Sequence, residues 1–443
     1  MKTTTLTTAL KTAAISIVLL ACAAAFCPSC VLYRAVAYGS EDIYDYRVFP
    51  QDTVRRSSRP WHFAEQAPEK RLLDTLVWDA DRYVDTAMKY PGRSVTLGEL
   101  MEDGGPGSII VIQNDTIKFE EYYGGFDRST VTTVFSVSKS LTSLLCGVAV
   151  REGYIRSVDD PVTDYLPELL DADTMFRHLT VEHLLQCRSG LKFNENYSIN
   201  PFSGMARLYY GPNAMAVVKR LRFRTRPGEK HYYSSMDSQI LGLVIERAVG
   251  RSYAEYMQEK VWEPLGMEYD ASVSLDDSRH RVAKSYGGIT TCAIDLAKVG
   301  RLYLNMGNWN GQQIIDSAWV KKSICRDNLN YFYAYCWYNT SRHIVNSEGT
   351  SEFFGDWHEV AERFDELGVP KDGRMFYTLG WKEGDNAVGH ALGPGYHAEG
   401  LYGQYLFILP EKNLVIVRLG ERKQIDYPEV FDKLAAEYLS TAF

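Results

Sequence analysis

The sequence predicts an α+β fold, with one antiparallel sheet built from both ends of the chain and a helical region inserted between them. Three observations carry this. The stretch Ser108-Ile109-Ile110-Val111-Ile112-Gln113, a turn at Asn114-Asp115, and Thr116 to Tyr123 read as a β-hairpin. A second hairpin pattern lies near the other end: Tyr405 to Leu409, a turn at Pro410-Glu411-Lys412-Asn413, then Leu414 to Leu419. Between the two, the apolar spacing is mostly helical or irregular.

Taken in order, the chain begins with Lys2 and Lys11, then runs from Thr12 to Tyr33 without a charge, 22 residues ended by Arg34. That length can cross a bilayer. Positive charge before it, with Glu41, Asp42 and Asp45 after it, places the N-terminus inside and the bulk of the chain outside. Residues 1–34 are therefore expected to anchor an exported protein to a membrane, on the periplasmic or extracellular face. Two alternatives use the same residues: a signal peptide cut near Ala23-Ala24-Ala25, and a lipid-modified Cys22. Residues 35–105 form a lead-in, with helical periodicity from Leu72 to Met88 stopped at Pro91-Gly92. The principal domain spans 106–443 and closes with a helix from Tyr427 to Thr441.

The net charge of −8 comes without long basic runs, so nothing points to nucleic acid. Of eight cysteines, Cys22, Cys27 and Cys30 lie in the apolar leader, where Cys27-Pro28-Ser29-Cys30 lacks a redox context. The other five cannot all pair, and their spacing suits no zinc site. Cys146 and Cys187 fall in apolar helical runs and read as small core residues. Thirty tyrosines, clustered at Tyr209-Tyr210, Tyr232-Tyr233 and Tyr331 to Tyr338, fit either surface packing or an aromatic-lined cleft.

The chemistry centres on Ser136-Val137-Ser138-Lys139. Val137, Leu141, Leu144, Leu145 and Val148 have helical spacing, so a helix opens at Ser136, and Gly153 marks its end. Ser136 and Lys139 then share one helix face. A serine hydroxyl needs a neighbour to take its proton, and a lysine with a lowered pKa can do so. The helix N-terminus adds unpaired N–H groups that favour developing negative charge. The pattern alone is weak, and Ser189-Gly190-Leu191-Lys192 also fits it. That second copy reads as a helix C-terminus, where a serine would face carbonyls.

Four stretches together resemble the serine β-lactamase and penicillin-binding-protein superfamily, in its class C-like branch with the 6-aminohexanoate-dimer hydrolase-like enzymes. They are Ser136 to Lys139 after a hairpin; Leu179 to Leu191 with its Ser189-Gly190 stop; Pro227 to Ser235 followed by Leu241 to Arg247; and Tyr286-Gly287-Gly288 leading into a helix. The resemblance covers about residues 105 to 443 and implies a β-lactamase/transpeptidase-like fold. It places Tyr233 on the tyrosine of the family's Tyr-x-Asn motif, as partner of Lys139 in proton transfer. Ser235 stands where the family has asparagine. The Lys-Thr-Gly strand is absent, and Tyr396 to Gln404 stands in its place. Aligning Gly400 to Gln404 with the Gly-x-x-Gly-Gln of that branch makes Leu401 the second oxyanion amide. His397 is expected to contact substrate or to serve the structure.

The expected activity is hydrolysis of an amide or ester through an acyl-enzyme on Ser136, with Lys139 and Tyr233 as the base and no metal or cofactor. The substrate is a small molecule or short peptide-like chain. The rivals are a non-catalytic binding protein and a true β-lactamase or D-alanyl peptidase. Ser235 and the missing Lys-Thr-Gly argue against β-lactam turnover.

Overall fold

The computed structural model describes residues 31–66, 72–79, 92–196, 203–324, 333–339, 343–345, 351–353, 381–383, 386–388 and 395–421, with Glu362, Glu366 and Phe431. Its centre is an eight-stranded sheet. In chain order the strands used below are β1 (Gln51–Val54), β2 (Ala64–Glu65), β3 (Gly107–Gln113), β4 (Thr116–Tyr123) and β5 (Thr132–Thr133). After them come β6 (Ala271–Ser274), β7 (Ile289–Thr291), β8 (Tyr333–Ala334), β9 (Trp337–Asn339), β10 (Tyr396–Gly400), β11 (Gln404–Leu409) and β12 (Leu414–Gly420). The large sheet runs β8-β9-β10-β11-β12-β3-β4-β2. Every pairing in it is antiparallel except β2 with β4.

Both expected hairpins are present and they lie side by side. β12 pairs with β3 along its whole length, from Leu414 opposite Gln113 to Gly420 opposite Gly107. Asn114 and Asp115 both have positive φ, 51° and 57°, the backbone of a type I′ turn. This turn also meets the C-terminal one, since Asn413 Nδ2 donates to Asn114 Oδ1 at 2.8 Å. The strands are buried on both faces, which is why their sequences are nearly continuous apolar runs. Alternate residues still separate cleanly. Ile110, Ile112, Leu406, Ile408, Val415 and Val417 face one core, and Ile109, Val111, Phe407, Leu409, Leu414 and Ile416 face a second.

Three helices matter for the site: α1 (Val137–Arg151), α2 (Ser235–Val249) and α3 (Ala293–Leu304). α1 and α3 lie against the first face of the sheet, and α2 packs on α1. α1 is buried on every side from Val137 to Ala149, its polar residues included. Those polar groups are bonded inward: Thr142 Oγ1 donates to Ser138 O at 2.9 Å and Ser140 Oγ to Cys336 O at 2.6 Å. A helix buried all round is one whose position cannot drift, and it carries Ser136 at its first cap. A smaller sheet, β1-β6-β7-β5, stands beside this end of α1.

The lead-in is woven into both sheets, through β1 against β6 and β2 against β4. The expected helix from Leu72 to Met88 is corrected in its described part. Helix occupies only Leu72–Thr75, and Val77–Asp79 is a strand paired with Ser94–Thr96. Helix-like apolar spacing over a short run cannot distinguish these outcomes when a partner strand lies downstream. The rest of that segment, the helix expected at Tyr427 to Thr441 apart from Phe431, and the leader before Val31 lie outside the described residues. Among the described residues no helix is long and apolar enough to cross a membrane. Cys146 and Cys187 are buried free thiols, as expected of core cysteines, and so are Cys292 and Cys336.

Candidate active site

Ser136 is the N-cap of α1, and Phe135 before it takes a left-handed backbone with φ of 45°. A bulky residue rarely adopts that conformation without support. Here the support is visible on both sides. Val134 N donates to Ile289 O at 2.9 Å, and Ile289 N to Ser138 Oγ at 3.1 Å, so β7 clamps the turn. The Phe135 ring meets Tyr402 edge-on at 5.6 Å.

Lys139 lies one helical turn further on. Its Nζ is 2.7 Å from Ser136 Oγ and donates to the Tyr286 carbonyl oxygen at 2.9 Å. The side chain is buried, and burial pushes its pKa below the usual lysine value; the Glu195 carboxylate opposes this, as do the Cys187 and Cys336 thiols. The amine is thus biased towards the neutral form that can accept a proton. The Tyr233 ring lies 5.0 Å from Lys139 Nζ, centroid to nitrogen. Tyr233 belongs to an extended segment laid along residues 186–188: Tyr232 N donates to Cys187 O at 2.9 Å and Gly228 N to Arg188 O at 2.8 Å. So a strand-like contact with a segment some 45 residues earlier delivers Tyr233 to the lysine.

Gly400 approaches the same point from the sheet. A Cβ placed there would sit 2.4 Å from Val134 O and 3.3 Å from Ser136 N, so only glycine fits. β10 ends at Gly400, and Leu401 is the next residue. Tyr402 then turns left-handed, with φ of 62°. Gln404 secures the corner: its Nε2 donates to Leu401 O at 3.1 Å and to Gly420 O at 2.6 Å, and Gly420 N donates to its Oε1 at 3.0 Å. Arg418, buried beneath, donates to the carbonyls of Tyr402 and Gly403.

Ser136, Lys139 and Tyr233 therefore meet, with Gly400-Leu401 beside Ser136. Ser235 stands one step back. It is fully buried at the start of α2, and its amide and hydroxyl both donate to Glu195. His397 is more remote. It pairs across the sheet with Phe407, on the face away from α1, and stacks on Tyr338 at 5.3 Å. Tyr338 in turn stacks on Tyr233 at 6.4 Å. Three participants were not visible in the sequence. Glu195 reaches its partner over 40 residues, Tyr286 contributes a main-chain carbonyl, and Tyr338 lies on β9, paired between β8 and β10. Tyr338 had a signal in the tyrosine cluster at 331–338, and Tyr286 stood in the Tyr286-Gly287-Gly288 stretch without its carbonyl's role being readable.

The second Ser-x-x-Lys copy follows a helix end, as expected, but its serine has a different partner from the carbonyls expected there. Ser189 follows the helix Val181–Leu185, but its Oγ donates to the Asp237 carboxylate at 2.7 Å and faces no helix carbonyls. Among the described residues no cluster of His, Cys, Asp and Glu is arranged to hold a metal ion.

A family model described as Beta-lactamase matches residues 80–436. The 6-aminohexanoate-dimer hydrolase of Paenarthrobacter ureafaciens is 26% identical over 334 residues, 73% of this chain and 74% of that protein. A teichoic acid D-alanine hydrolase of Staphylococcus aureus is 27% identical over 188 residues, 41% of this chain and 44% of its own length. Among solved structures, a 6-aminohexanoate-dimer hydrolase-like protein from Bacillus anthracis superposes with a TM-score of 0.67 at 18% identity, covering 93% of this chain and 96% of that one. A class C β-lactamase in complex with cefoxitin gives 0.51 at 17% identity, over 78% and 96%.

Proposed function

We propose how the site works in a chain that belongs to the Beta-lactamase family and is a serine hydrolase of amidase type: Ser136 is the nucleophile, and Lys139 with Tyr233 is its base. The observation that carries this is the 2.7 Å contact between a buried lysine amine and the hydroxyl at a helix N-terminus. Ser136 Oγ attacks the carbonyl carbon and its proton passes to the Lys139–Tyr233 pair. The negative charge on the carbonyl oxygen is held by the amides of Ser136 and Leu401. Tyr233 returns the proton to the departing amine or alcohol, and water, deprotonated by the same pair, releases the acyl group.

The substrate we favour is a linear amide or ester with a small acyl part. The 6-aminohexanoate-dimer hydrolase resemblance supports it, and so does the fate of Ser235. That hydroxyl is committed to Glu195 and is not free to bind a substrate amide. The Lys-Thr-Gly cation is also missing from the sequence. Losing a charged hydrogen bond to a β-lactam carboxylate costs about 1.5–3 kcal/mol. His397, joined to Tyr233 through Tyr338, takes the structural alternative and braces the wall beside Tyr233. Export to the outer face of a membrane by residues 1–34 completes the reading. Its support is the uncharged run from Thr12 to Tyr33, and fractionation of full-length protein tests it.

A fluorophosphonate probe tests the nucleophile. Wild type is expected to label at Ser136 and Ser136→Ala to remain unlabelled. If neither labels, the chain is a binding protein. On one preparation, a linear aminohexanoate dimer or p-nitrophenyl butyrate should exceed nitrocefin in kcat/KM. A tenfold preference for nitrocefin, about 1.4 kcal/mol, would reverse the substrate assignment.

A further inference from the structure

One cleft reverses the sign of this acidic chain. A cavity of about 590 Å³ is bordered by Lys192, Arg207, Arg220, Arg222 and Arg224, over an apolar floor that includes Phe193 and Leu221. Among the described residues no carboxylate lines it, and none of the five cations has an ion pair. The cluster has a simple origin in sequence. Arg220-Leu221-Arg222-Phe223-Arg224 alternates cationic with apolar residues; Arg220 and Leu221 close a turn onto the carbonyls of Val217 and Val218, and the chain then runs on beside Leu191 and Lys192. Leu221 is buried and Phe223 packs edge-on against Phe176 at 5.0 Å, while Arg220, Arg222 and Arg224 face outward. A single β-bridge between Phe223 and Leu191 docks the segment beside Lys192.

The guanidinium of Arg224 is pre-positioned without being neutralised. Its Nε donates to Leu191 O at 3.1 Å and another of its nitrogens to Phe193 O, and it lies 4.8 Å over the Tyr232 ring. Carbonyl oxygens and a π-face orient the fork and leave its full charge in place. Five like charges around one cavity repel one another, and a bound anion removes that cost. One carboxylate would engage one fork. A ligand with several charges along its length fits the cluster.

We propose that this cleft binds an oligoanionic, phosphate-bearing ligand, in which successive phosphates pair with Arg220, Arg222 and their neighbours. The bonds are charge-assisted N–H···O contacts, of the kind guanidinium makes with phosphate. The site stands independently of the hydrolytic reading, although Lys192, Phe193 and Asn194 of its wall directly precede Glu195 in the chain. Two sources share this chemistry, a soluble phosphodiester polymer and the headgroups of an anionic bilayer.

Calorimetric titration of wild type with tripolyphosphate at low salt is the direct test. The triple variant Arg207→Gln, Arg220→Gln, Arg222→Gln alters only exposed side chains, and its thermal midpoint reports that it folds. A control triple, Arg55→Gln, Arg93→Gln, Arg251→Gln, removes the same charge elsewhere. The expected result is saturable binding that weakens at least tenfold in the first variant and stays within threefold in the control, with affinity falling as salt rises. Absence of binding by wild type, or equal weakening in both triples, overturns the proposal. Co-sedimentation with phosphatidylcholine vesicles with and without phosphatidylglycerol, beside binding of poly(glycerol phosphate), identifies the source. Uptake by the anionic vesicles that the first triple abolishes assigns a headgroup, and polymer binding without vesicle uptake assigns a soluble chain.

Discussion

The same four-residue pattern occurs twice in this chain, and the two copies do different things. Ser136-x-x-Lys139 opens a buried helix, so its serine and lysine share a face and touch at 2.7 Å. Ser189-Gly190-Leu191-Lys192 follows a helix, with Gly190 at φ of 71°. There the chain is not helical, the spacing brings nothing together, and Lys192 points outward to the cationic cleft. Each serine nevertheless addresses a buried ionisable group, Lys139 in one case and Asp237 in the other. Burial pushes the base down and the acid up, so both shift towards the neutral form. A spacing is therefore only a statement about chemistry once the secondary structure is known.

The largest effect separates the two serines. Ser136→Ala should lower turnover roughly 10⁴-fold or more, because the covalent route is lost. Ser189→Ala should leave turnover per folded molecule near wild type. It should instead cost about 1–3 kcal/mol of stability, since the buried Asp237 loses a hydrogen-bond donor. Urea unfolding and ester hydrolysis on both variants check this. If Ser189→Ala abolishes turnover in folded protein, the two copies have been assigned the wrong way round.

The next effect concerns the lysine. Lys139→Met fills nearly the same buried volume without an amine. Turnover should fall by about 10²–10⁴-fold, the usual range for a general base. In wild type, activity should climb with pH through a Lys139 pKa below the ordinary lysine value, as the neutral amine is populated. A variant that folds and keeps its rate would show that Tyr233 alone takes the proton.

What the sequence made legible follows the same division. The Ser136–Lys139 contact was readable because one turn of helix joins the two residues, and the hairpins because their pairing is local and punctuated by Asn114-Asp115 and Asn413. Tyr233 and Leu401 were reached through family likeness, since nothing local connects either to Ser136. Gly400 is a case where the reason appears only in three dimensions: the backbone of Val134 leaves no room for a Cβ. Glu195 was not legible at all, and Tyr286 was singled out in its glycine turn without the contact its carbonyl makes with Lys139. The arginines at 220–224 had a period-two signal in the sequence, hidden because the chain's net charge is negative.

The smallest effect is a pH profile, and it isolates the acid of the second copy. Asp237 is buried at the start of α2, bonded to Ser189 and Ser234, with the Glu195 carboxylate nearby, and its pKa is pushed up to about 7 from 3.8. The unfolded chain would lose this proton near pH 4. Between about pH 4 and 7 the folded state therefore holds more protons than the unfolded one, and stability falls as pH rises. Above about 7 both states are ionised and this contribution is flat. Lys139 has the opposite sign: its folded pKa is depressed, so the unfolded chain retains the proton longer and stability rises towards the ordinary lysine pKa. Asp45 at about 6 and Glu246 at about 7 titrate in the acid window as well, so wild type alone cannot assign the slope. Asp237→Asn removes one titration and leaves the others. Urea midpoints measured for both proteins from pH 4.5 to 7.5 should converge or cross, wild type losing stability relative to the variant as pH rises. Two parallel curves would mean that Asp237 stays ionised in the folded state across that range, and that the second serine faces a fixed charge.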